Sequence, residues 1–594
     1  MKGNKLPTRF DKFSWLVLVF FVLLLLSRVL FLTSDSFRSG FDVEEKCVGY
    51  NARNKVLFDN WESGGDYQPM AFNPLSNLIS YLSFSSLGVG LFSLRIPYAL
   101  LSILGFVLYY LVLKKEFNRY FSFLGTMFLS SITYIAAMNR TAICENLFLF
   151  LTIATLFFYQ KGLKYYKYFF GVGLFSFLTL VAKLNGAIFT LATFAAVSFF
   201  IFRKKGERKK IFPPFFAGIA LGLLIWVVSL LPFHQVGYFP TLKWLILANT
   251  QLIDIYQSDV SVQVLNSFRA VINSIQSNFR LTPMVINGTL PYTTLLGLTS
   301  IWVIFYYCKR ISELDKFSIL WLIVGILFIN LFCLNEKRLV LIIPAMVYLI
   351  VKTFTLLWNN RNNKGFIHPQ AVAVLFIGFL LIFSSWLWRF SQHNIHNTIF
   401  PLPGRNTILF LSLFIGICLA LLFNRIRNPM KYCYLRKLAV RLYSFSFLFA
   451  IVISNYHNID NFFLSRQNMS FQASRDLGRI LEPTTIVGTE LAYRFLGFEN
   501  CHKFIFKHDG GKHNINKDIA HILERDDIRY FCLNMDRNKR LDDPNIKKML
   551  SYYPKAKLLK IYKCGRFSFA LFDKGLVAMD KQAPEVKKLE ERIN

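Results

Sequence analysis

Acidic residues are scarce in this chain. Across 594 residues, 34 Asp and Glu stand against 68 Lys and Arg, leaving a formal net charge of +34. Such an excess is shared with nucleic-acid-binding proteins, but no basic strand interleaved with stacking aromatics and no nucleic-acid motif occurs. The nine cysteines form no CxxC pair, which argues against zinc-ribbon and thioredoxin-type sites. A bridge among Cys501, Cys532 and Cys564 stays open, with free thiols as the default. The part after about residue 458 has no Gly-rich phosphate loop or nucleophile elbow, and the chain shows no internal repeats or low-complexity tracts. The first apolar run, residues 14–34, lacks a small-residue cleavage site and exceeds the roughly 7–15 residues of a signal core. It reads as an uncleaved span behind Lys2, Lys5, Arg9 and Lys12, with a cytoplasmic N-terminus.

What is abundant is apolar sequence, 54% of the chain, gathered into runs near twenty residues long. About 20 helical residues cross the hydrocarbon core of a bilayer. Candidate spans lie near 14–34, 87–113, 120–138, 142–160, 168–183, 185–202, 212–233, 290–308, 316–334, 338–357, 370–390, 407–423 and 437–455. The basic residues sit in short connectors: 114–119, 161–167, 203–210 and 425–437. With the N-terminus inside, alternation puts every one of these on the cytoplasmic side, as the positive-inside rule requires. Topology therefore accounts for the charge. Residues 1–457 form an all-α polytopic membrane domain of about 13 transmembrane helices, with long outer segments at 35–86 and 234–289. The loop 40–61 is densely charged, and 74–86 is semi-apolar and suited to the membrane surface.

From about residue 458 the composition turns globular. A short helix at 474–481 precedes a buried strand at 484–490. An amphipathic helix at 518–528 leads into a strand at 529–535, and two further strands at 555–574 meet at Cys564-Gly565. Residues 458–594 thus read as a small extracytoplasmic α/β domain, with a role in support or acceptor recognition.

Charges beside apolar spans are expensive, so those at the outer ends merit attention. They are Arg95, Arg140, Glu145, Lys183, Glu336, Lys337 and Arg338, below the acidic residues Asp42, Glu44 and Glu45. One carboxylate and several cations suit attack on a sugar C1 that carries a phosphate leaving group. The carboxylate takes the acceptor's proton, and the cations hold the developing phosphate charge. A groove beside the spans would take a polyprenyl chain.

The segments EEKCVGYNARNKVLFDNW (44–61), PMAFNPL (69–75) and LGVGLFSLRIPYAL (87–100) resemble the first outer loop and second span of a family of membrane glycosyltransferases. These are the polyprenyl-phosphate-sugar enzymes of the glycosyltransferase C superfamily, including protein O-mannosyltransferases and the lipid A aminoarabinose transferase. MNRTAICENLFLFL (138–151), LTLVAKLNGAIF (178–189) and NEKRLVLIIPAM (335–346) are similar to further family segments. The resemblance implies inverting transfer at the cell (inner) membrane to a protein, lipid or glycan acceptor, with no cofactor required. It implies a catalytic set of Glu44, Asp42 and Glu45, with Glu44 or Asp42 as base. Lys183, Lys337 and Arg338 would hold the donor phosphate, and Arg53, Arg140 and Glu145 would shape the site.

Departures are visible. The family's Asp falls on Glu44, with Asp42 two residues earlier; Asn73 stands where some members have Lys, and Leu339 where Tyr is usual. Blander readings compete at each position. The acidic cluster could be a solvated loop, Lys183 a turn, Glu336–Arg338 a span boundary, and Arg140 and Glu145 an orienting span end. His393 and His396 have i,i+3 spacing but no third ligand nearby, so a divalent metal is disfavoured. Two rivals share the topology: a polymerase or ligase of lipid-linked glycans, and a lipid or sugar transporter. The lack of repeat halves and the gathering of charge at one edge disfavour transport.

Overall fold

The computed structural model describes residues 11–33, 39–61, 73–182, 187–203, 205–231, 296–297, 300, 304, 311–332, 342–359, 429–459, 469–481, 486–489, 500–505, 528–535, 556–564 and 567–573. Helix α1 (Lys12–Val29) opens the bundle, its N-terminus capped by the Asp11 carboxylate, which accepts from the Ser14 amide at 2.8 Å. Trp15, Leu18, Val22 and Leu26 are exposed around it, and only Leu24 and Arg28 are buried. A helix apolar all round with so little buried face is suited to lipid. Helices α2 (Ser39–Phe58), α3 (Pro74–Leu87) and α4 (Leu91–Glu116) follow. At 26 residues, α4 is about 39 Å long, more than a hydrocarbon core needs. Its internal Pro97 cannot donate to the Ser93 carbonyl, and the Ser83 hydroxyl of α3 donates to that oxygen instead.

The expected span 120–138 is two helices, α5 (Arg119–Ser131) and α6 (Thr133–Met138). Ile132 leaves helical geometry at φ −55° and ψ 116°, between the hydroxyl-bearing pairs Ser130-Ser131 and Thr133-Tyr134. The carbonyls released at the break are taken by Arg28 Nη2 on Ser130 O (2.7 Å) and Asn458 Nδ2 on Ser131 O (2.8 Å). Helix α7 (Cys144–Gly162) lies at the centre, buried on all sides and packed on α4 and on α8 (Phe169–Ala182). After α9 (Ala187–Arg203), α10 (Arg208–Leu230) crosses α8 at very close range. Gly173 and Gly218 make this approach feasible. A Cβ on the first would meet the Phe215 carbonyl, and a Cβ on the second the Phe170 carbonyl.

Helices α11 (Glu313–Phe332), α12 (Ile343–Asn359) and α13 (Pro429–Ile459) complete the described helical part. Tyr348 OH and Lys352 Nζ both reach the buried Asp315 carboxylate, at 2.8 and 3.1 Å, and pin α12 to α11. Among the described residues, three helices (α1, α4 and α10) are long and apolar enough to cross a membrane by length and composition. The expected spans 370–390 and 407–423, and most of 290–308, lie outside the described residues, as does the outer segment 234–289.

Beyond α13, helix α14 (Met469–Ile480) packs on a five-stranded sheet. Its strands are β1 (Ile486–Thr489), β2 (Lys503–Ile505), β3 (Tyr530–Met535), β4 (Lys557–Cys564) and β5 (Phe567–Asp573), in spatial order β2-β1-β3-β5-β4. Strand β1 runs parallel to β2 and β3, and β5 runs antiparallel to β3 and β4. The expected helix 518–528 lies outside the described residues. One apolar cluster joins this sheet to the bundle, gathering Val48, Ala52 and Leu57 of α2 with Leu477, Val487 and Phe569.

Candidate active site

The acidic segment expected as a loop is helical. Between positions 39 and 58 there is no proline, and Glu, Lys, Ala, Arg and Leu supply helix propensity. Its buried residues mix Val48, Ala52 and Leu57 with Glu45, Tyr50, Asn51 and Arg53, which interrupts an apolar stripe.

Glu45 is fully buried against Arg95 of α4, itself 1% exposed. Arg95 Nε donates to Oε1 and Nη2 to Oε2, both at 2.7 Å, in a bidentate pair. The Ala142 amide, at the entry to α7, donates to the same Oε1 at 2.6 Å, and Arg95 Nη1 donates to Leu32 O at 2.7 Å. A single ion pair thus ties together the end of α1, the helix α2, α4 and the start of α7. The structure therefore engages the Glu45 carboxylate in an anchor.

Arg140 continues the arrangement. Its Nη1 donates to Ser27 O at 2.6 Å and its Nη2 to Phe31 O at 2.8 Å. With Arg95 on Leu32 O, two guanidiniums cover one carbonyl of the last turn of α1 and two of the turn that follows it, at the end where the helix dipole favours cations. Glu145 is buried in the first turn of α7, with its Oε2 3.5 Å from Cys144 Sγ. Glu45, Arg95, Arg140 and Glu145 are thus assembled around one end of the bundle, the end where α1 finishes.

Arg53 lies elsewhere. Eight residues beyond Glu45, about 12 Å along the helix axis, it leaves the bundle and enters the C-terminal sheet. Its Nη2 donates to Asn500 O and His502 O, each at 2.8 Å. His502 Nε2 donates to Leu477 O at 3.1 Å, which leaves Nδ1 without a hydrogen-bond partner among the described residues. Burial and the nearby Arg53 charge push the His502 imidazole down to about 4, so it is neutral at physiological pH. These acceptors are main-chain carbonyls, which no sequence motif marks. Arg28 did carry a signal, as an Arg inside an apolar run.

Asp42 and Glu44 occupy backbone positions on α2, and their side chains lie outside the described residues. Lys183, Lys337 and Arg338 also lie outside them. No group of three or more His, Cys, Asp or Glu able to hold a metal ion occurs among the described residues. Cys501 and Cys532 are buried free thiols, and burial pushes the Cys532 thiol well up.

Residues 68–232 match the family model described as dolichyl-phosphate-mannose-protein mannosyltransferase. The matched range takes in α3 to α10, with Arg140, Glu145 and Lys183, and begins after α2. No curated protein matches the chain significantly in sequence. In fold it is similar to the crystal structure of ArnT from Cupriavidus metallidurans in the apo state, with a TM-score of 0.53 and 13% identity. That likeness covers 95% of this chain and 99% of ArnT. The structure of the same ArnT bound to undecaprenyl phosphate gives 0.52 and 12% identity, over 96% and 98% of the two chains. At such identity the likeness is one of fold, and it spans both chains nearly end to end. The family match and this shared fold support the resemblance read from the sequence, to membrane glycosyltransferases of the C type.

Proposed function

We propose that this multi-pass membrane chain is an inverting glycosyltransferase that takes a sugar from a polyprenyl-phosphate carrier to an extracytoplasmic acceptor. The observation that carries the reading is the near end-to-end fold likeness to ArnT, which one crystal structure holds with undecaprenyl phosphate. The mannosyltransferase family match over 68–232 agrees with it. The end of the bundle where α1 finishes is taken as the outer face, with residues 1–457 as a membrane domain of about 13 helices. On that topology the N-terminus is cytoplasmic, and 458–594 forms an α/β domain outside the cell (inner) membrane.

Glu44, or Asp42 two residues before it, takes the proton of the acceptor as its oxygen or nitrogen attacks C1. The C1–O bond to the phosphate breaks, and the bonding pair leaves with the polyprenyl phosphate. Lys183, Lys337 and Arg338 receive the growing phosphate charge. Glu45 serves this chemistry from its anchor, since its carboxylate already accepts from Arg95 and the Ala142 amide. Arg140 shapes the site mouth through the end of α1. No cofactor or metal is assigned a part.

Purified protein supplied with polyprenyl-phosphate sugars and candidate acceptors should release polyprenyl phosphate. A Glu44→Gln/Asp42→Asn double variant should abolish the release. Normal turnover by that variant would remove both residues as base.

A further inference from the structure

We infer that Arg53 is a positioning residue, locking the helix that bears the candidate base onto the C-terminal sheet. The inference rests on the proposed function, because it gives that sheet a part in catalysis at a distance.

Among the described residues, α2 is anchored by buried polar side chains toward each half of the molecule. Glu45 holds the bundle side through Arg95 and Ala142. Arg53, fully buried, holds the sheet side through one nitrogen shared by the carbonyls of Asn500 and His502. Its Nη1 donates to Asn54 Oδ1 at 2.9 Å, and the guanidinium sits 5.3 Å from the Tyr50 ring and 5.7 Å from the Phe58 ring. The group is thereby fixed in direction as well as charge.

The two acceptor carbonyls are themselves held. Asn500 Nδ2 donates to Ser474 O at 2.8 Å, and the His502 amide donates to Asn500 Oδ1 at 3.2 Å. With His502 bound to Leu477 O, the lead-in to β2 is sewn to α14. Val48, Ala52 and Leu57 continue the contact as apolar packing against Leu477 and Val487. Position 44 lies on this same helix, nine residues before Arg53. Without the sheet-side polar anchor, apolar packing alone holds α2 to the sheet, so the helix can pivot about the Glu45–Arg95 pair and displace the backbone at position 44. A misplacement near 1 Å costs about 100-fold in rate.

The test uses the full chain in proteoliposomes with Arg53→Met, Arg53→Lys and Asn500→Ala. Rates are measured with polyprenyl-phosphate hexose and pentose donors, and amide hydrogen exchange is followed over 39–58 and 501–505. Arg53→Met should lower kcat about 10- to 100-fold, with KM for the donor within about three-fold. Arg53→Lys should recover part of the loss, because an ammonium keeps the charge and reaches one carbonyl. Asn500→Ala should lower kcat in the same sense while Arg53 itself is intact, and it carries the test should Arg53→Met fail to fold. Exchange should quicken in 39–50 as well as in 501–505. Wild-type kcat in both Arg53→Met and Asn500→Ala, or quickening confined to 501–505, overturns the inference. Should wild-type protein turn over none of these donors, the functional reading fails by itself. Exchange across 39–50 then decides whether Arg53 couples helix to sheet.

Discussion

Replacing Glu45 by Gln should destabilise the fold by about 3–5 kcal/mol, the range seen when one partner of a buried ion pair is removed. The carboxylate accepts three hydrogen bonds, from Arg95 Nε, Arg95 Nη2 and the Ala142 amide, at 2.6–2.7 Å. Bonds to a charged group contribute about 1.5–3 kcal/mol each, so the gross loss on removing the charge is larger than the net one. Gln keeps an oxygen for Ala142 and Nε but sets its NH2 against Nη2. The Arg95 guanidinium, 1% exposed, is left buried with its charge unanswered by this carboxylate. Reversible unfolding in mixed micelles, across a double-mutant cycle with Arg95→Met, measures the coupling. The double variant Glu45→Gln/Arg95→Met closes the cycle and should cost about 0.5–3 kcal/mol less than the two single variants added together, because with Arg95 gone no buried charge is left unpaired. A cost below about 1 kcal/mol for Glu45→Gln would refute the view that this pair anchors α2.

Stability should also fall on acidification through His502. Its folded pKa, about 4, lies below the ordinary 6.5, so the unfolded chain takes up the proton first. The contribution is complete above about pH 6.5, is lost as the pH falls toward 4, and levels off below, for a total of about 3 kcal/mol. His502→Gln should flatten that part of the pH–stability profile; an unchanged profile contradicts the assignment. At the α8–α10 crossing, Gly173→Ala and Gly218→Ala should each destabilise by at least about 1–3 kcal/mol. The methyl group meets a backbone carbonyl, and no side chain can swing aside to admit it. Unfolding midpoints equal to wild type would show that the two helices do not meet there.

Legibility in the sequence followed the physics of each element. The apolar runs of α1, α4 and α10 declare themselves by length, because a bilayer demands about twenty residues of one character. Strands β3, β4 and β5 sit within a residue or two of the expected segments, in runs rich in Leu, Tyr and Phe. Strand β2 is not legible, because three residues, Lys503–Ile505, carry no period. Helix α2 is hard to read because its buried positions mix Val48, Ala52 and Leu57 with Glu45, Asn51, Arg53 and Asn54, which breaks up an apolar stripe. The break at Ile132 has neither glycine nor proline, and its cause is tertiary, in the reach of Arg28 and Asn458 to the freed carbonyls. At the candidate site, charges near span ends were visible as costly features, whereas their pairing was not. Arg53 illustrates the difference: it donates to two carbonyls some 450 residues away.

The most direct measurement is a structure of the full chain with a non-hydrolysable polyprenyl-phosphonate sugar bound. The account predicts the phosphonate within about 3 Å of Lys183, Lys337 or Arg338, on the face of the bundle that carries the Glu45–Arg95 pair. The anomeric carbon should be open to an acceptor held by the carboxylate at position 44 or 42. A phosphonate seated on the opposite face, or carboxylates and cations on separate flanks of the bundle, would contradict it.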